Sequence, residues 1–97
     1  MHAVTMTNNF DDGGTVFLFD DAFAAKKFLH CTYLQEKEAI KNEGYKDVES
    51  VIGTNGEYAA ISYPCESLAG DRAEIIWELR LCRNVINMVN KTARLIQ

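Results

Sequence analysis

The hydrophobic and polar positions of the chain form short alternating segments and two long amphipathic ones. Residues 15–19 are β-branched and aromatic, and they follow Gly13 and Gly14, which can adopt the positive φ angles of a tight turn. They predict a strand. Residues 3–7 alternate weakly between apolar and polar positions, and they predict a second strand that pairs with the first as a hairpin.

Residues 21–42 predict a helix. Asp20 and Asp21 supply an N-cap and negative charge at the positive end of the helix dipole, and Gly44 follows the last turn. One side carries residues at helical spacing that are mostly apolar: Ala22, Ala25, Phe28, Leu29, Thr32, Tyr33, Ala39 and Ile40. That side should face a sheet.

A second hairpin is predicted from residues 48–54 and 57–63. Asn55 and Gly56 join the two segments, and this dipeptide is the one that best satisfies the two positive φ angles of a type I′ turn. Pro64 lacks a backbone N–H and should end the second strand.

The last segment, residues 71–95, predicts a long amphipathic helix. Asp71 and Glu74 fit a capping box at its start. Apolar residues at spacings of three and four form an inner line of Ile75, Leu79, Cys82, Ile86, Val89, Ala93 and Ile96. A second, outer line is rotated away from the first and consists of Trp77, Leu81, Met88 and Leu95.

These elements predict a single α+β domain over residues 1–97, in the order (β)β-α-ββ-α. A short hairpin cannot make a parallel crossover, so the sheet should be antiparallel. With both helices on one face, the domain would be a small two-layer sandwich. The sequence contains no internal repeat and no linker that would separate two folding units.

Protein recognition is the function that these surfaces favour. The apolar arc of the last helix is too wide for a small sheet, so the outer line of Trp77, Leu81, Met88 and Leu95 should bind a partner protein or a second copy of the chain. Acidic residues bracket the strand at 15–19 and would engage a basic partner: Asp11, Asp12, Asp20 and Asp21. The specific hypothesis is a small acidic regulator or inhibitor that occupies a site on a larger protein, as phage inhibitors of nucleic-acid machinery do.

Nucleic-acid binding is the first alternative. The net charge is -4, yet it is unevenly distributed, because residues 1–70 carry -6 and residues 71–97 carry +2. A basic side of the last helix, with Arg80, Arg83, Lys91 and Arg94, could contact phosphates. The acidic remainder of the chain makes this partner the weaker expectation.

A cysteine-dependent enzyme or redox protein is the second alternative. Cys31, Cys65 and Cys82 are far apart, form no C-x-x-C pair and lack the spacing of a zinc site, so neither catalysis nor metal binding is expected. No phosphate-binding or dinucleotide motif occurs, and no cofactor is expected. The absence of a signal-like start and of a run of about 20 apolar residues predicts a cytoplasmic protein without a membrane span.

Overall fold

The computed structural model describes residues 1–10, 13–66, 70–83 and, for the backbone, 93–95. Within these residues the chain forms one helix and six strands. The helix α1 is Ala22–Asn42, and the strands are β1 (His2–Asn8), β2 (Gly14–Phe19), β3 (Glu49–Ile52), β4 (Tyr58–Glu66), β5 (Arg72–Cys82) and β6 (Ala93–Leu95).

All six strands belong to one sheet, in the order β3-β4-β5-β1-β2-β6. The first five pair antiparallel, and β6 pairs parallel with β2. The predicted hairpin of β1 and β2 is confirmed, with His2 opposite Phe19 and Thr7 opposite Gly14. The register brings the start of β1, the end of β2 and the end of β5 to the same end of the sheet.

The predicted helix at residues 21–42 is confirmed. Asp21 is its N-cap, and a carboxylate oxygen of Asp21 accepts a hydrogen bond of 3.0 Å from the backbone N–H of Phe23. At the other end, the backbone N–H of Gly44 donates to the carbonyl of Lys41, and Gly44 has a φ of 89°, a conformation that glycine adopts without strain.

The core lies between α1 and one face of the sheet. Helix α1 contacts β1, β2, β4 and β5. The buried residues of this layer are Val4, Phe19, Ala25, Leu29, Tyr33, Ile40, Ala59, Ile61, Tyr63 and Leu79. Successive residues of a strand point to opposite faces, so the residues between these strand positions point to the face away from α1, called here the far face. Ala3 and Leu18 are buried on the far face.

The predicted hairpin of β3 and β4 is present, but its turn differs from type I′. Five residues connect the strands, and the backbone N–H of Gly56 donates to the carbonyl of Gly53. Of the two central residues of the predicted turn, only Gly56 has a positive φ. Asn55 instead uses its side-chain oxygen to accept a hydrogen bond from the backbone N–H of Glu57. The strands are therefore joined by a five-residue loop, which the Asn55 side chain stabilises, rather than by a two-residue turn.

Strand β4 continues past Pro64 to Glu66, so the predicted strand end at Pro64 is wrong. The pairing of β3 with β4 ends at Ser62, whereas the pairing of β5 with β4 continues to Glu66. Pro64 therefore lies where β4 has a neighbour on one side only, and such edge positions tolerate a residue without an N–H donor.

The predicted last helix is wrong over the described part of its range, because residues 72–82 form β5. Strand β5 pairs with β4 on one side and with β1 on the other. Ile75, Trp77, Leu79 and Leu81 alternate with other residues and all face α1, since Leu79 pairs with Met6 and Ala59 on that side. Two backbone ladders and one shared apolar face thus stabilise the strand.

The two-helix α+β sandwich is therefore corrected to a mostly-β fold, with one helix on one sheet in the described residues. Of the inner line of the predicted helix, Ile86, Val89 and Ile96 lie outside the described residues.

Asn9 extends the pairing of β1 with β5 through its side chain. Its amide Nδ2 donates to the carbonyl of Glu74 at 2.7 Å, and its Oδ1 accepts from the backbone N–H of Ile76 at 2.9 Å. The backbone N–H of Asn9 also donates to the carbonyl of Ile76. These bonds fix the neighbouring Phe10 over β5, where its ring packs edge-on against Trp77 with 5.4 Å between ring centres.

Candidate functional site

The two described side chains of the predicted apolar binding line do not form a separate surface. Trp77 and Leu81 face α1 and pack against the core. Their alternation in β5 places them on the same side as Leu79, so the premise of an outer helix line is wrong. Met88 lies outside the described residues, and Leu95 lies in β6, of which only the backbone is described.

The acidic residues that the sequence singled out lie partly at the start of α1. Asp20 and Asp21 are exposed and connect β2 to the helix. Asp21 uses one carboxylate oxygen, Oδ1, as the N-cap. Asp11 and Asp12 lie outside the described residues.

A cleft with a volume of about 530 Å³ opens beside Asp20 and Asp21. Its walls come from the end of β2 and the first half of α1, and they consist of Phe19, Asp20, Asp21, Ala24, Lys27, Phe28 and Cys31. The ring of Phe28 packs against Phe17 and Phe19, with ring centres 4.7 and 5.1 Å apart. These aromatic contacts give the cleft a fixed apolar wall, and carboxylates lie at its border.

Two strongly exposed apolar side chains lie at the same end of the molecule. Phe23, in the first turn of α1, is 74% exposed, and Met1 is 44% exposed. Met1 immediately precedes the pair formed by His2 and Phe19, so it is at the end of the sheet where α1 begins. We call Met1, Phe23 and the residues of the cleft together the α1-start surface.

Sequence reasoning missed Phe23, although the sequence contained a signal for it. The apolar side of α1 includes Ala22 and Ala25, and Phe23 is rotated about 100° from Ala22 on a helix. A large apolar residue that lies outside the buried side of an amphipathic helix must be exposed to solvent. Phe23 is the first such residue of α1, and this position was the signal in the sequence.

The basic residues proposed for nucleic-acid binding are paired with carboxylates where their side chains are described. Arg80 lies on the far face, where its guanidinium bonds to Glu78 at 2.7 Å and lies over the ring of Tyr58. The hydrogen bond and charge of Glu78 raise the pKa of Arg80. Arg83 forms an ion pair with Glu57. Lys91 lies outside the described residues, and Arg94 is in β6, of which only the backbone is described.

The Glu57 carboxylate holds the end of β5 to the turn between β3 and β4. One oxygen accepts from Arg83 and the other from the side-chain amide of Asn55 at 2.8 Å. The hydrogen bond from Arg83 is the main reason why the pKa of Glu57 lies below its ordinary value of 4.5, and the charges of Arg83 and Lys26 add to the effect.

Replacing Glu57 by glutamine is expected to make the thermal stability of the protein less sensitive to acidification. Because the pKa of Glu57 is lower in the folded protein than in the unfolded chain, its contribution is complete above pH 4.5 and is lost as the pH falls through the folded value. Thermal midpoints of both proteins between neutral and acid pH should therefore differ most at neutral pH and converge below pH 4.5. A constant difference at every pH would contradict this assignment.

The three cysteines occupy separate environments. Cys31 is exposed and lines the cleft, whereas Cys65 and Cys82 are half-buried. Cys65 lies beside Tyr45. The electrostatic interaction with Cys65, followed by that with Tyr63, raises the pKa of the Tyr45 hydroxyl. Among the described residues, no group of three or more His, Cys, Asp or Glu side chains is placed to hold a metal ion.

No helix within the described ranges is long and apolar enough to span a membrane. Comparisons with models of protein families, with curated proteins and with solved structures found no match.

Proposed function

We propose that this chain is a protein-binding module that recognises its partner through the α1-start surface. Its role would be that of an accessory regulator or inhibitor that occupies a site on a larger protein. The observation that carries the proposal is Phe23, which is 74% exposed beside an apolar cleft of about 530 Å³.

Phe23 has the properties of an interface anchor. Aromatic side chains bury a large area at a low cost in conformational entropy, and a few such residues dominate the energy of most interfaces. The N-cap of Asp21 fixes the first turn of α1, so Phe23 is held in place before a partner binds. Preorganisation of this kind lowers the entropic cost of binding.

The adjoining cleft can receive a side chain of the partner. Its volume lies within the range of about 300–1,000 Å³ that is typical of binding pockets, and Phe19, Ala24 and Phe28 supply apolar wall. Asp20 and Asp21 at its border favour a partner whose apolar side chain is flanked by basic residues. The net charge of -4 supports the same choice of partner.

Replacing Phe23 by glutamate is expected to weaken partner binding by about tenfold or more, the loss typical of an interface anchor. A displayed library of random peptides, selected on the wild-type protein, supplies the partners for this test. Affinities of the selected peptides are then measured in solution by fluorescence polarisation. Glutamate near a helix N-terminus favours the helix, so circular dichroism should show α1 intact.

The matched control is Leu34→Glu, on the same helix and 48% exposed. It makes the same change of charge three turns away and should leave the affinities within about twofold, as most exposed positions outside an interface do. Failure to select any peptide, or selected peptides that bind Phe23→Glu as tightly as wild type, would refute the proposal.

A further inference from the structure

Strand β3 forms one border of the sheet and has no strand beside it among the described residues. It pairs with β4 on one side only. Glu49, Ser50 and Val51 are exposed, and Val51 is 53% exposed. An edge strand of this kind presents backbone N–H and C=O groups that can pair with an extended segment of another chain.

A groove of about 240 Å³ on the far face adjoins this edge. The pairing of β3, β4 and β5 brings Val51, Ala60 and Ile76 together as its apolar floor, beside Ser62. The groove is therefore continuous with the exposed side chains of β3, and a segment added at the edge would extend the same face.

The residues that line the groove include two carboxylates and no cation. Glu49 and Glu74 both line it, and neither carboxylate forms an ion pair with another described residue. Arg72 lies nearby and lines an adjoining pocket with the same two glutamates and Asp47, so the charge around the groove remains negative. Glu78 also points to the far face, but Arg80 neutralises it. The two carboxylates beside an apolar floor favour a side chain that combines a cation with an aliphatic stem, which is the chemistry of lysine and arginine.

We propose that the edge of β3 binds an extended basic segment of a partner protein, which adds a strand to the sheet. The segment would carry a lysine or arginine beside Glu49 and an apolar residue beside Val51, with one residue between them. Backbone pairing with β3 would hold the segment, and the long side chain would lie across β3 with its cation next to Glu49 and within the field of Glu74. This surface is distinct from the α1-start surface and does not depend on it.

A second copy of the chain is a less suitable occupant of this edge. Pairing of two β3 strands would bring two sets of Glu49 and Glu74 carboxylates toward each other, in a protein whose net charge is -4. Like charges on neighbouring strands destabilise the pair, whereas opposite charges stabilise it. Charge complementarity therefore favours a basic segment.

The experiment uses the peptide Thr-Lys-Thr-Val-Thr-Lys-Thr with blocked ends, which presents the same pattern in both strand directions. Titration into the isotope-labelled protein should shift the backbone NMR signals of β3 and slow the hydrogen exchange of its amides. Added salt should weaken binding, because the charges are exposed. The peptide Thr-Glu-Thr-Val-Thr-Glu-Thr should not bind.

Glu49→Lys is expected to weaken binding of the lysine peptide by roughly tenfold, since it replaces an attractive surface charge pair by a repulsive one. Glu74→Lys should cause a smaller loss, because it is farther from the edge. Glu38→Lys makes the same change of net charge on the exposed side of α1 and should have no effect. Glu49 and Glu74 are both exposed, so both variants should fold.

Four outcomes would overturn the proposal. They are the absence of shifts at β3, binding of the acidic peptide, equal losses in Glu38→Lys and Glu49→Lys, and a concentration-dependent dimer whose β3 signals broaden without peptide. Phe23→Glu should leave peptide binding at β3 unchanged, so failure at this edge is distinguishable from failure at the α1-start surface.

Discussion

Replacing Leu29 by alanine is expected to lower the free energy of unfolding by about 3 kcal/mol, within the range for leucine in a packed core. Leu29 is fully buried, with 0% of its surface exposed, and it lies in the middle of the cluster that joins α1 to the sheet. Alanine would remove apolar contact and leave a cavity that a rigid sheet cannot close. Urea denaturation followed by circular dichroism measures the change.

Leu34→Ala is the matched control, because it makes the same substitution on the same helix at a residue that is 48% exposed. It should change the free energy of unfolding by about 0.5 kcal/mol or less, as surface substitutions usually do. Equal losses in the two variants would mean that α1 does not pack on the sheet through its Leu29 side.

Local signals predicted the type and order of the elements in the first 66 residues, but not the end of β4. Asp21 and Gly44 delimit α1 through a side-chain cap and a left-handed residue, and both interactions involve neighbours in sequence. The glycine pair at residues 13–14 and the Asn-Gly dipeptide at 55–56 likewise indicated hairpins. The type of turn at Asn55 was mispredicted, because its side chain competes for the backbone N–H of Glu57.

The segment at residues 72–82 could not be assigned from local signals alone. Ile75 and Leu79, like Trp77 and Leu81, are four residues apart, a spacing that both a helix and a strand allow. A helix separates these two pairs into two lines, whereas a strand places all four on one face. Glu, Leu and Arg favour a helix locally, but pairing with β1 and β4 determines the strand.

The candidate site combines residues that the sequence named with one that it did not. Asp20 and Asp21 were named as binding residues because acidic residues bracket the strand at 15–19, a pattern that is visible in the sequence. The apolar component was placed at Trp77 because the assumed helix separated it from the core, and that assumption depended on non-local pairing. Phe23 became a candidate only when the extent of the buried side of α1 was known.

Replacing Trp77 by threonine is expected to lower the free energy of unfolding by about 3 kcal/mol, the lower end of the range for removing a large aromatic from a packed site. Trp77 packs against the core under α1 and also contacts the ring of Phe10. Threonine retains a high propensity for strands, so the loss would report the side-chain packing rather than the backbone. Chemical denaturation monitored by circular dichroism gives the value without the tryptophan fluorescence.

Ile76→Thr provides the comparison, because Ile76 is adjacent in β5 and points to the far face, where it forms part of the groove floor. Its loss should be about 1 kcal/mol, since a half-buried aliphatic side chain has less apolar surface to lose. Successive residues of β5 point to opposite faces of the sheet, and only one face packs against α1. Neighbouring substitutions should therefore differ in their effect on the free energy of unfolding. If Ile76→Thr is as costly as Trp77→Thr, the odd-numbered residues of β5 do not face α1, and the register of β5 with β1 and β4 is wrong.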